Sequence, residues 1–130
     1  MLPKQYRLRR SAEIKRVREL GQGWRHPLAI LLVVKNEQTI SRFAFTASRG
    51  VGKAVARNRA RRLLREAVRL HLSEIETGWD CVWIARAKTA DATFSEVETA
   101  VLHLLSRARL LRTDTLPGAA SEPEETGRGM

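Results

Sequence analysis

Eleven residues from Ala56 to Glu66, ARNRARRLLRE, hold five arginines and one asparagine. A guanidinium is planar, stays charged at physiological pH and presents paired N–H groups that match two phosphate oxygens at once. The chemistry this run can perform is recognition of a polyanion. Arg57, Arg61, Arg65 and Arg69 recur every four residues and so share one ridge of a helix, with Arg62 and Arg59 further round and Asn58 between them. Ala56, Ala60, Leu63, Ala67 and Leu70, widened by Leu64 and His71, form an apolar stripe on the other side. Like charges at this spacing cost an isolated helix roughly 0.2–0.5 kcal/mol each, and only Glu66 offers local relief. Phosphates of RNA or DNA supply the missing counter-charge, and their neutralisation releases condensed cations.

Other chemistries find no residues to carry them. A metal-dependent nuclease needs clustered carboxylates, but Glu13, Glu19, Glu37, Glu66 and Asp80 fall in separate elements without ligand spacing. His26, His71 and His103 have neither an i,i+4 partner nor a cysteine to complete a zinc set, and read as packing or surface residues. The GVGK of Gly50–Lys53 departs from a phosphate-binding loop because Ala54 stands where a hydroxyl is required and the earlier glycine is misplaced. Cys81 is the only cysteine, so no intramolecular disulfide forms, and its place in an apolar run makes it buried filler. Trp83 alternates with Cys81 and reads as core. The expectation is a protein with no catalytic constellation, no bound cofactor or metal, and no small-molecule ligand.

The whole chain agrees with the arginine run. Its 130 residues carry 24 Lys and Arg against 14 Asp and Glu, a formal charge of +10. With 43% hydrophobic residues it is too apolar for a purely disordered basic tail, and its length suits one core. The richest apolar run, LAILLVV at Leu28–Val34, is far short of the ~20 residues a membrane helix needs. No signal-peptide core follows the basic start, so the cytoplasm is the expected compartment and no membrane partner is implied.

The elements that position the arginines follow from periodicity and punctuation. Ser11 caps a helix to about Leu20, with Glu13 in its first turn, Ile14, Val17 and Leu20 inward, and Gly21 ending it. LAILLVV and RFAFTAS (Arg42–Ser48) read as two strands of a hairpin across the polar KNEQTIS. A helix follows from roughly Val51 to Leu72, then a strand CVWIARA (Cys81–Ala87). A last helix opens on the capping box of Thr93 and Glu96, with Val97, Val101, Leu104, Ala108 and Leu111 as its stripe. The order helix, two or three strands, helix, strand, helix predicts an α+β fold with a small mixed sheet. One RNA-binding domain is expected over 1–112 and a disordered tail, rich in Pro, Gly and Glu, over 113–130.

GKAVARNRARRLLREAVR (Gly52–Arg69), with RLRRSAEIKRV before it and DCVWIARA and TFSE after it, resembles the bacterial ribonuclease P protein component. The resemblance covers about Tyr6 to Leu111. It implies a fold like the second domain of ribosomal protein S5, with a left-handed crossover between strands against the usual right-handed rule. It implies the accessory protein subunit of an endoribonuclease that removes the 5′ leader of precursor tRNA. In that enzyme the RNA subunit holds the catalytic Mg2+ and does the chemistry. By the same resemblance, Arg57, Asn58, Arg59, Arg61, Arg62 and Arg65 contact the catalytic RNA, with Arg69 added by its place on the same ridge, while Arg49, Lys53 and Arg86 match the rim of the leader-binding cleft and Arg18 faces it. The family places aromatics in that cleft, whereas the matching positions here are Ile14, Arg18 and about Leu31. Base stacking, worth roughly 1–3 kcal/mol per base, is therefore expected to be weak, with the Arg18 guanidinium as a substitute. The rival reading is a ribosomal or other structured-RNA binder without a processing role. A helix-turn-helix is disfavoured because a strand, not a short helix, precedes the arginine helix.

Overall fold

A computed structural model of the chain describes residues 2–112; the tail expectation for 113–130 lies outside the described residues. The order of elements is α1 (Ser11–Leu20), β1 (Gln22–His26), β2 (Ala29–Lys35), β3 (Arg42–Ala47), α2 (Ala54–Leu70), β4 (Trp79–Ala85) and α3 (Phe94–Arg107). The four strands make one mixed sheet in the order β1-β2-β4-β3. No helix among the described residues is long and apolar enough to cross a membrane.

The expected hairpin between LAILLVV and RFAFTAS does not form. β2 instead pairs antiparallel with β1 on one side and with β4 on the other, and β3 pairs parallel with β4. β4 thus inserts between the two strands that were read as neighbours, and α2 becomes the crossover that joins the parallel pair β3 and β4. The physical reason is two-sided burial. β2 and β4 are central strands covered on both faces, so they read as continuous apolar runs that carry no information about which strand lies beside them. The polar link after β2 is held by Asn36, whose side-chain amide donates to Asp80 on β4 at 2.8 Å and to the Ile40 carbonyl at 3.2 Å.

Side chains alternate across the sheet. Ala29, Leu31 and Val33 of β2, Phe43 of β3 and Cys81, Trp83 and Ala85 of β4 join Ala60, Leu64, Ala67 and Val68 of α2 and Val97, Val101 and Leu104 of α3 in the main core. On the opposite face α1 lays Val17 and Ile14 on Leu32, Val34, Ala44, Val82 and Ile84. Cys81 and Trp83 are fully buried, as their alternation required. Burial pushes the Cys81 thiol far up from its ordinary value, so it stays protonated and unreactive.

The helices deviate from expectation at their ends and edges. Ser11 is the first residue of α1 rather than its cap; Arg10 holds the cap position and no side chain caps it. α2 begins at Ala54, later than expected, because Arg49–Val51 form a separate 3-10 turn and Gly52, at φ 121°, reverses the chain before the helix. Only glycine adopts that angle without strain. The buried face of α2 is Ala60, Leu64, Ala67 and Val68, whereas Leu70, assigned to the stripe, is half-exposed. α3 opens on the predicted capping box, with Thr93 Oγ1 accepting from the Glu96 N–H at 3.1 Å and the Glu96 carboxylate accepting from the Thr93 N–H at 2.9 Å.

Candidate nucleic-acid interface

α2 packs over β3 and β4, so its outward surface is fixed by a 17-residue helix whose other side is buried. The structure distributes the predicted arginines over that surface unevenly. Arg57 reaches one flank, its Nη2 donating to the Ala47 carbonyl at the end of β3 at 3.1 Å. Arg59 reaches the other, its Nε donating to the Ala90 carbonyl at 2.7 Å. Each of these bonds uses one N–H and, among the described residues, no carboxylate pairs with either charge, so the remaining donors of each fork are left for a ligand. Between the two flanks Asn58 and Arg62 are exposed. The Asn58 side-chain oxygen accepts from Arg61, and Arg62 makes no hydrogen bond or ion pair among the described residues.

Further along, Arg65 lies over the Phe45 ring with its guanidinium 5.7 Å from the centroid. Burial, and then the charges of Arg7, Arg61 and Arg62, pull its affinity for a proton down from the ordinary guanidinium value. The direction is what a crowded cationic patch produces, and it locates Arg7 of the N-terminal lead in that patch. Arg7 bridges to Phe43 of β3, and its Nε donates to the Leu2 carbonyl at 2.9 Å. Arg69 differs from the rest. It bonds Glu66 through Nε and Nη2 at 3.0 and 2.9 Å, and this contact holds the Glu66 carboxyl below its usual range.

The four residues assigned to a second surface are spread over three places. Arg18 is exposed on α1; Arg49 and Lys53 are exposed on the segment leading into α2. Arg86 follows β4, where its Nη1 donates to the His26 carbonyl at 3.1 Å and its N–H to Thr89 Oγ1 at 2.9 Å. On the α1 face of the sheet the β2 residues are Ile30, Leu32 and Val34, since Leu31 points into the opposite core. The position facing α1 is therefore aliphatic, one residue away from where the sequence placed it.

Residue-by-residue reading missed the clamp that sets α1 on the sheet. Arg42 on β3 donates to Asp80 at 3.0 and 2.8 Å and, through Nη2, to Glu13 on α1 at 3.1 Å. Asp80 is buried, 3% exposed, and so needs these partners. No sequence signal joins three charges that lie 29 and 38 residues apart.

A helix with a buried apolar side and a cationic outward side, packed on a mixed sheet, defines an α+β protein with a surface suited to a polyanion. The family model described as Ribonuclease P matches residues 2–109. The ribonuclease P protein component of Dehalococcoides mccartyi strain 195 is 44% identical over 105 residues, covering 81% of this chain and 86% of its own. That of Alkaliphilus oremlandii is 35% identical over 107 residues, covering 82% and 94%. Among solved structures, the RNase P protein of Staphylococcus aureus superposes with a TM-score of 0.74 at 27% identity, covering 82% of this chain and 98% of its own. The chain belongs to the ribonuclease P protein family, whose members are the protein subunit of the endoribonuclease ribonuclease P and act in tRNA 5′ processing.

Proposed function

We propose that the outward side of α2 is the surface that docks the ribonuclease P RNA, with Asn58 and Arg62 at its centre, Arg57, Arg59 and Arg61 on its flanks, and Arg65 and Arg69 extending it. The observation that carries this reading is the carbonyl pinning of Arg57 and Arg59 on opposite flanks, which preorganises two guanidinium forks without neutralising either. Ordering a long side chain on binding costs roughly 0.5–1.5 kcal/mol, and pinning removes part of that cost before the RNA arrives. Arg18, Arg49, Lys53 and Arg86 border the surface assigned to the 5′ leader of precursor tRNA. Because its sheet face is aliphatic, leader binding there rests on phosphate contacts rather than base stacking. Among the described residues no three His, Cys, Asp or Glu side chains gather as a metal site, and the catalytic Mg2+ is assigned to the RNA subunit. The cytoplasm is the compartment this role implies.

Reconstitution tests the reading. The protein added to its RNA subunit at near-physiological magnesium should stimulate removal of the 5′ leader, and the protein alone should leave the substrate intact. Arg62→Ala should weaken RNA binding and lower the log–log salt slope by about 0.7–0.9. An unchanged slope removes Arg62 from the interface, and RNA-free cleavage overturns the division of labour.

A further inference from the structure

The sheet has a second arginine-bearing edge that the docking surface does not use. β1 is an edge strand, pairing only with β2 among the described residues. Arg25 projects from it on the α1 side of the sheet, because Trp24 beside it packs into the main core. From the other side α3 brings up His103 and Arg107, and all three side chains are exposed. Arg107 Nη1 donates to the Arg25 carbonyl at 2.8 Å. The His103 and His26 rings meet edge-on with centroids 5.8 Å apart.

Three observations single out this edge. The first is the manner in which Arg107 is held. Arg57 and Arg59 are tethered by one N–H to a backbone carbonyl, and Arg107, like Arg7 and Arg86, repeats that arrangement. Arg42 and Arg69, by contrast, are matched with carboxylates. The second is the lack of local counter-charge. No carboxylate among the described residues bonds to or pairs with Arg25, His103 or Arg107, and the two glutamates of α3 have other partners: Glu96 closes the α3 cap and Glu98 bonds His71. The third is electrostatic. Burial chiefly, and to a lesser degree the charges of His103 and Arg107, press the His26 pKa down from its ordinary value.

We propose that Arg25, His103 and Arg107 make the β1 edge a second phosphate-binding surface, which grips another backbone segment of the same RNA subunit that docks on α2. This rests on the α2 reading for the identity of the partner. The two surfaces lie at opposite sides of the sheet, α2 over β3 and β4, and this edge beyond β2. The protein would thus hold two backbone segments, one at each end of the strand order. A second copy of the chain is a poorer occupant, since two-fold edge pairing sets Arg25 and Arg107 against their own copies.

The test is salt-dependent binding of the full chain to the RNA subunit, with backbone footprinting of the RNA, for Arg25→Gln/Arg107→Gln and for Arg62→Ala. Arg25→Lys/Arg107→Lys, which keeps charge but loses the fork, provides a second folded variant; it should retain most of the slope. The double glutamine variant should lose about 1.4–1.8 from the log–log salt slope. It should also lose protection at nucleotides other than those that Arg62→Ala uncovers. An unchanged slope for the double variant while Arg62→Ala lowers it overturns the edge proposal alone; no effect of either overturns the docking reading beneath it. Loss at the same nucleotides, a raised KM for precursor tRNA with unchanged RNA-subunit binding, or concentration-dependent dimerisation of the free protein abolished by the double variant each overturns the proposal as well.

Discussion

At the residue scale the arginines divide by what holds them. A guanidinium facing a buried carboxylate is already neutralised, so it stabilises the fold and has little left for a ligand, as with Arg42. One tied to a carbonyl is positioned but keeps its charge, as with Arg57, Arg59 and Arg107. Sequence spacing places Arg57 and Arg59 on one helix but does not show what holds them, because the carbonyls that tether them lie 10 and 31 residues away. His71 shows the opposite use of a charge. It ends α2, with Nδ1 2.9 Å from Glu74 and Nε2 2.8 Å from Glu98 on α3. Burial lowers its pKa, but the hydrogen bonds to Glu98 and Glu74 outweigh this and leave it raised. A raised folded-state pKa means that the stabilisation is fully present below the unfolded value and is lost as pH rises through the folded one. Thermal melts of the wild type and His71→Gln should therefore differ most near pH ~6 and converge above about pH 8, given an unfolded histidine pKa of roughly 6.5. A difference that grows with pH would show that the ring is held neutral.

At the element scale, α1 is attached by a polar clamp as well as by its apolar stripe. Arg42 is 17% exposed and Asp80 is 4% exposed at the side chain, and the pair carries Glu13 with it. Removing one partner of a buried pair leaves an uncompensated charge, which costs about 3–5 kcal/mol, whereas replacing both by apolar groups is often tolerated. Urea denaturation should show Arg42→Ala destabilised by that amount and Arg42→Met/Asp80→Leu recovering much of it. A loss below ~1 kcal/mol would mean that Asp80 is solvated in the native state. This clamp also marks what the sequence made legible. The helices α2 and α3 could be read because their periodicity and, for α3, its cap are local. β2 and β4 were visible as strands but not as neighbours, since two-sided burial erases alternation. β1 went without a range because an edge strand of Gln22, Gly23, Trp24, Arg25 and His26 carries one apolar side chain in five residues. The arginine face of the site was written in spacing; the tethers that aim it, Ala47 and Ala90, contribute only carbonyls and have no sequence signature.

At the scale of the whole molecule, the question is where the folded unit ends. The family match stops at 109, yet the packing continues. Leu110 is 1% exposed, its carbonyl accepts from the Glu76 N–H at 2.7 Å, Leu111 bridges to Ile75, and the Arg112 N–H donates to the Glu74 carbonyl at 2.7 Å. These contacts tie the chain beyond α3 to the segment that follows α2, and Arg109 at φ 61° makes the turn that allows it. The residues after Arg112 carry four acids against one arginine, so they add nothing to a phosphate-binding surface. We therefore propose that 1–112 is the functional domain, and a chain truncated after Arg112 should match the full chain in melting temperature and lose no affinity for the RNA subunit. One truncated after Arg109 loses a buried leucine side chain, worth about 1.5–3 kcal/mol, together with the backbone bonds around it. That second truncation should melt several degrees lower while its α2 surface is untouched, so its RNA affinity, measured well below the melting transition, should hold. If the shorter cut costs nothing, the family boundary is the physical one; if the cut after Arg112 weakens RNA binding, the last eighteen residues take part in docking.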